Sequence, residues 1–251
     1  HIYSASYLRL KNDWHIGIIA QCQDKKHGDL IEKIFQNSGH QNHIITGGQQ
    51  RTCTVERHTP DILPLPLGQS SGFQKVKDTW LVKWTLLTPA IFPHLDAKPE
   101  KSVPEHPGGW LPTWICPQDN KVMLKHRPTR EEGQSRSKWR DAVQNAAPIP
   151  ATLVAAITGK PIPVTGWSLG HAADRDFGAK STHLAVPAGS VYYFACDGET
   201  AAKNLAAALN WHGTQNEPTT IINRRSTLMG EKGFGLGVCS TWTYHDGKQP
   251  T

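Results

Sequence analysis

The sequence predicts an α+β protein, and three observations carry that prediction. Short apolar runs of strand length recur at Tyr7–Leu10, Ile16–Gln21, Thr52–Arg57, Trp80–Leu87 and Ser190–Ala195. Two other segments place apolar residues at helical spacing, about Gly28–Asn37 and about Glu199–Trp211. Strand pairs alternate with single helices, which reads as α+β layers arranged as two ferredoxin-like units with antiparallel sheets.

The elements follow in order. Lys11-Asn12-Asp13 separates the first two runs as a hairpin-like break. Leu30, Ile31, Ile34 and Phe35 then form one helical stripe, opened by Asp29 and closed by Ser38-Gly39. Gly47-Gly48 is a turn before the alternating run Thr52–Arg57. Pro60, Pro64, Pro66 and Gly68 make residues 59–72 a loop. Trp80–Leu87 is a strand closed by Thr88-Pro89. Residues 92–117 are rich in Pro and Gly around Trp110 and Trp114, a long ordered insertion, because exposed tryptophans are costly. Strands follow near Val164–Leu169, His183–Val186 and Ser190–Ala195, then the Ala-rich helix with Leu205 and Leu209. A last strand covers about Leu236–Tyr244, and 246–251 reads as a frayed tail. The expected divisions are 1–120, a basic insertion or linker 121–150, 151–245 and the tail.

Composition bounds the function. The chain has 251 residues, 22 Gly, 18 Pro and 19% charged residues: loop-rich, globular, and long enough for a real core. No apolar run approaches the ~18 residues a membrane span needs. Lys plus Arg is 27 against 21 for Asp plus Glu, a formal +6 that permits a polyanionic partner. Seven basic residues against two acidic ones lie between Lys121 and Arg140, so +5 of that excess sits in twenty residues, Arg127 and Arg130 among them. With Trp139 interleaved, such a run suits RNA, while a solvated loop with Arg–Glu pairs is the ordinary alternative. The five cysteines are scattered and form no C-x-x-C, which fits reduced thiols in a cytoplasm. The chain opens at His1-Ile2-Tyr3 and reads as strand within a few residues, so a missing N-terminal part is expected.

The strongest local motif is Gly230-Glu231-Lys232-Gly233-Phe234-Gly235-Leu236-Gly237, preceded by Arg224-Arg225-Ser226-Thr227. Its glycines allow close approach of backbone to a ligand and a nest of N–H groups, and Lys232 adds a charge for a phosphate. A strand follows it, so it is not the dinucleotide fingerprint, and no Gly-Lys-Ser/Thr makes a P-loop. A glycine-rich bulge where a helix packs on a sheet explains the pattern equally well. Thirteen histidines show no H-E-x-x-H or Cys/His ligand spacing, and no G-x-S-x-G elbow exists. No metal, cofactor or small-molecule substrate is expected, and no catalytic residue.

Five stretches occur together in a telling order. They are Tyr3–Leu10, Gly47-Gly48-Gln49-Gln50-Arg51, Leu86–Phe92 with Gly109-Trp110-Leu111-Pro112, Ala185–Phe194, and Gly230–Gly237. Together they resemble subunit three of the Cmr module of type III-B CRISPR–Cas effector complexes, a branch of the RAMP superfamily, over essentially the whole chain. Gln49 departs from an acidic preference, and the family's opening strand is absent. The resemblance implies two RRM-like modules with long insertions, the first truncated, and a non-catalytic, cytoplasmic subunit without membrane contact. It implies a grip on the 5′ repeat-derived tag of the crRNA and contacts with the large polymerase-like subunit and backbone subunits. The residues expected on RNA are Lys232, Gly233, Gly235, Arg51, Arg224 and Arg225, joined by Gly230, Gly237, Arg127 and Arg130. A metal-independent RAMP endoribonuclease that processes guide precursors is the alternative.

Overall fold

The computed structural model describes residues 11, 16–18, 23–24, 28–29, 33–34, 42–46, 51–55, 63–97, 104–126, 133–168 and 178–244. They fall into two units, His1–Pro60 and Asp61–Thr251.

In the first unit, β1 (Gln23–Asp24) pairs antiparallel with β2 (Gly28–Asp29), and β3 (Asn42–Thr46) with β4 (Arg51–Val55). The expected strand at 52–57 is thus present as β4. The helix expected from Gly28 does not begin there. Gly28, at φ 74°, and Asp29 are paired with β1, and helical backbone is seen at Lys33 and Ile34. Of the strand expected at Ile16–Gln21, Ile16, Gly17 and Ile18 are exposed and not in a strand, and 19–21 lie outside the described residues. Tyr3–Leu10 lies outside the described residues.

The second unit is built on β6 (Thr79–Leu86). Along it Val82, Trp84 and Leu86 are buried while Lys83 and Thr85 are half-buried, the two-residue period of a strand with one covered face. β6 pairs antiparallel with β12 (Val191–Cys196), and β12 with β7 (Ala151–Ile157). On its other side β6 meets β13 (Gly237–Thr241) and, end to end with it, β5 (Gln74–Val76). The Thr241 hydroxyl closes that junction, donating to Leu81 O (3.2 Å) and accepting from Gln74 N (2.7 Å). The order β13-β6-β12-β7 therefore carries consecutive strands past one another, since β6 and β7 flank β12, and β12 and β13 flank β6.

One crossing is α2 (Glu199–Leu209), which buries Ala201, Ala202, Leu205, Ala206 and Leu209 on the covered face. Each buried leucine contributes about 1.5–3 kcal/mol. The other crossing, residues 87–150, has no helix with buried residues among those described. Irregular chain instead brings Leu111, Ile115, Val122 and Ile149 into the core. Trp114 meets Trp84 edge-on (5.7 Å) and stacks on Phe194 (6.1 Å). His106, buried, ties this segment down: Gly108 N donates to its Nδ1 (3.0 Å), so Nε2 carries the proton and donates to Ile115 O (2.9 Å). The described parts of the insertion, 92–97 and 104–117, are held against the sheet, but Trp110 stays 53% exposed.

Within the crossing lies α1 (Arg136–Asn145), capped by Ser135 Oγ accepting from Lys138 N. The segment between β7 and β12 forms small ladders, β8 (Ile162–Val164) with β11 (His183–Ala185) and β9 (Trp167–Ser168) with β10 (Gly178–Ala179). The single strand expected at Val164–Leu169 is thus two short ones, parted at Thr165-Gly166. The expected divisions at 120 and 150 cut through this unit. Hydrogen bonding of β6 to β12 and β13 places residues 63–97 in the same sheet system as 151–244. Among the described residues no helix is long and apolar enough to cross a membrane.

Candidate nucleic-acid interface

Beyond Leu86 the chain leaves β6 and becomes the hub of three of the five motif stretches. Leu86 N donates to Ser190 O (2.9 Å) and Leu86 O accepts from Gly189 N (2.8 Å). Ala90 and Val186 exchange both backbone bonds (3.0 and 2.8 Å). Phe92 O accepts from Gly109 N (2.8 Å), and the Tyr192 hydroxyl donates to Trp110 O (2.7 Å). Burial pushes the Tyr192 phenol up, so it stays a neutral donor. Thr88 Oγ1 donates to Gly233 O (2.7 Å) and accepts from Leu236 N (3.0 Å), locking the glycine-rich segment onto the end of the sheet. Motifs separated by up to 150 residues thus share one end of one sheet, at the close of β6 and the openings of β12 and β13.

The glycine-rich segment has two unlike halves. In the inner half, Gly235 sits at φ 79°, and a Cβ there would lie 2.0 Å from Ser226 N. A Cβ on Gly237 would lie 2.2 Å from Trp84 Nε1. These two glycines are required by packing. In the outer half, Met229 is left-handed (φ 58°), Gly230–Lys232 make one 3₁₀ turn, and Gly233 is left-handed (φ 84°) with open space where a Cβ would go.

The amides are divided in the same way. Lys232 N and Phe234 N donate to Met229 O, Gly233 N to Gly230 O, Gly235 N to Pro89 O, and Leu236 N to Thr88 Oγ1. The nest expected along the whole motif is therefore closed from 232 onward. Gly230 and Glu231 are the turn amides without an acceptor among the described residues. Beside them stand two exposed cations without an ion-pair partner among the described residues. Lys232 ends the turn, and the stem of Arg224 runs past Gly230, its Cβ 3.5 Å from where a glycine Cβ would be. Such a cluster of donors and positive charge suits a phosphate group.

The remaining expected residues sort differently. Arg225 is half-buried: its Nε donates to Ala208 O (2.6 Å) and a terminal nitrogen to Asn223 Oδ1 (3.1 Å). It thereby caps the last turn of α2, and its own backbone bonds to Gly235 O and to the Trp114 indole N–H. Arg225 is a structural residue on this geometry. Arg51 opens β4 opposite Thr46 in the other unit, and its side chain lies outside the described residues, as do Gly47–Gln50, Arg127 and Arg130. Thr88 was not singled out from sequence, and its signal was its place between a strand end and Pro89.

Three titratable groups elsewhere are engaged in structure. Cys196 is pushed up to about 12 and Cys239 well above the usual thiol range by burial, so both are inert core residues. Asp119 is held at about 2 by hydrogen bonds from Lys121 and Cys116, an exposed ion pair at 2.9 Å. Among the described residues no group of three His, Cys, Asp or Glu side chains converges as a metal site would.

The family model of the CRISPR-associated protein (Cas_Cmr3) matches residues 1–242. The chain belongs to that family. It is accordingly a subunit of the Cmr module of type III-B CRISPR systems, and the match spans every element of both units. No curated protein and no solved structure shows a significant match to the chain. Three of the five motif stretches that carry the resemblance meet at the end of the sheet in this Cmr3-family chain, while Tyr3–Leu10 and Gly47–Gln50 lie outside the described residues.

Proposed function

We propose that this Cmr3-family chain is a non-catalytic guide-RNA-binding subunit, and that the turn Gly230–Lys232 holds a phosphate of the 5′ repeat-derived tag of the crRNA. One observation carries the reading. Three of the five motif stretches converge to fix a turn whose outward half combines two unbonded amides with Lys232 and Arg224. Backbone amides and flexible cations grip ribonucleotide phosphates and fix the position of the strand, while preference for the tag comes from base contacts elsewhere in the assembled complex. The strand order of β6, β7, β12 and β13, with α2 in one crossing, supports a ferredoxin-like module of the RAMP type. Residues around it serve contacts with the large polymerase-like subunit and a backbone subunit in the cytoplasmic complex. The endoribonuclease alternative gains no support. His106 and His212, the two buried histidines described, have both ring nitrogens bonded within the protein.

The test is binding of tag RNA and of a scrambled RNA by the assembled complex across a series of salt concentrations. Preference for the tag is expected. Lys232→Ala is expected to weaken binding and to flatten the slope of log affinity against log salt by about 0.7, one phosphate contact on a single strand. Equal binding of tag and scrambled RNA overturns the reading.

A further inference from the structure

We infer that the exposed surface of α1 is a second contact for the RNA, binding its phosphate backbone through Arg136 and Arg140 on one flank of the helix and Lys138 on the other. The inference rests on the RNA-binding reading above and extends it to a place no motif marks.

The structure sorts the basic run between Lys121 and Arg140 by what each charge does. Lys121 is paired with Asp119. Lys125 Nζ donates to Gln144 O, fastening the end of α1 to the chain before it. Both are engaged in holding the crossing together. Arg136, Lys138 and Arg140 are exposed and form no ion pair among the described residues, although Asp141 is next in sequence. The run is therefore partly scaffold and partly unneutralised charge.

The helix is an unusual place for that charge. Of its ten residues none is buried. Trp139, Val143 and the following Ala146 are half-buried, one stripe at helical spacing, and this is the side turned to the protein. Arg136 and Arg140 are one turn apart on a flank of that stripe, where like charges repel. No acidic residue stands in the first turn and no basic one in the last, so the charge distribution runs against the helix dipole. An anion on this side relieves both conflicts.

Position and chemistry select the anion. The helix is held at both ends, by the Ser135 cap and by Lys125, with Ile149 N bonded to Leu124 O (2.8 Å) just beyond it, so the cations are displayed on a fixed rod. The side away from the stripe carries Ser137, Asp141 and Gln144 and no apolar or aromatic residue. A stable protein interface needs such an apolar centre, whereas phosphates need cations alone. Charge complementarity therefore favours a polyanion.

The experiment compares the full chain with the triple variant Arg136→Gln, Lys138→Gln, Arg140→Gln and with the charge-keeping pair Arg136→Lys, Arg140→Lys. Binding of fluorescein-labelled single-stranded tag RNA is followed by anisotropy from low to high salt. Circular dichroism and melting are expected to match the wild-type chain, because every replaced side chain is exposed. The triple variant is expected to bind on the order of 10–100-fold more weakly at low salt, with a slope shallower by about 2, three phosphate contacts at about 0.7 each. The lysine pair is expected to keep the slope. If wild-type binds and the triple variant matches it, this inference falls while the proposed function stands. If wild-type binds no RNA at any salt, the proposed function falls and this inference with it. An unchanged RNA slope with loss of the triple variant from the assembled complex gives the helix to an acidic protein surface, and overturns the inference.

Discussion

Gly235 and Gly237 are closed in by Ser226 and Trp84, whereas Gly230 and Gly233, a few residues earlier, border open space or the aliphatic stem of Arg224. The sequence motif looks uniform, yet the two halves answer different demands. The inner pair lets β13 begin against the indole of β6, and the outer pair shapes a turn that presents amides and Lys232. Sequence leaves the two readings of the motif, packing bulge and phosphate cradle, level; the packing reading describes the inner stretch, and the proposed cradle is confined to the outer one. A glycine-rich segment need not be one device.

The strongest way to break this division is Gly237→Ala. The new methyl group would meet Trp84 Nε1 at 2.2 Å and Thr85 O at 2.9 Å, and the indole is fixed by its bond to Leu209 O (3.1 Å). Overpacking of this kind is expected to destabilise by about 3 kcal/mol, lowering Tm by roughly 6–12 °C, with RNA affinity of the folded fraction unchanged. Gly235→Ala meets backbone rather than an indole and is expected to do at least as much. Calorimetric melting with parallel anisotropy measures both. A normal Tm for Gly237→Ala would erase the distinction between the halves.

A finer cut passes between neighbours. Arg225→Ala removes the donors to Ala208 O and Asn223 Oδ1 and is expected to destabilise by about 1–3 kcal/mol while leaving the salt slope of RNA binding intact. Arg224→Ala, on the exposed stem beside Gly230, is expected to leave Tm within about a degree and to flatten that slope. Should the two variants trade outcomes, the side chains have been assigned to the wrong roles.

Strand β6, β12, β13 and helix α2 were legible in the sequence because each alternates or repeats against one covered face, and that face is what periodicity records. β7 was not. Ala-Thr-Leu-Val-Ala-Ala-Ile gives no clean alternation, a register shift opposite Tyr193-Phe194 interrupts its pairing, and its second half is exposed. α1 was invisible for the opposite reason: with no buried residue it has only Trp139 and Val143 to mark a stripe, and its charges read as linker. The helix expected from Gly28 differs at its start, because a short ladder with Gln23–Asp24 holds Gly28 and Asp29 extended, while Lys33 and Ile34 are helical as expected. At the site, the glycines and Lys232 were visible as residue types. The division between Arg224 and Arg225 was not, because it depends on the end of α2 folding back beside Asn223, a contact no local pattern encodes.

The smallest effect concerns the anchor of the inner half. Trp211 N donates to Gly237 O (2.9 Å), and the next residue, His212, is buried with Nε2 accepting from Gly68 N (2.9 Å) and Nδ1 donating to Gln215 O (2.8 Å). That tautomer is neutral, and a proton on Nε2 would face the Gly68 N–H. Burial accordingly holds the imidazole below its ordinary value of 6.5, the Gly68 N–H acts in the same direction, and together they outweigh the bond from Nδ1 to Gln215 O. The unfolded chain then takes up a proton near 6.5 while the folded chain does not. The stabilisation from His212 is complete above that pH and is lost as pH falls through 6.5 toward the lower folded value. Urea melts at pH 8 and pH 5.5 should therefore show a lower midpoint at pH 5.5, and His212→Gln should shrink the difference between the two while lowering stability at pH 8. RNA affinity per folded molecule should change far less with this variant than with Lys232→Ala, since the ring sits among the contacts of Gly68 and Gln215 and not at the Gly230–Lys232 turn. A His212→Gln chain with the full wild-type pH difference would show that the anchor of the inner half does not titrate through this ring.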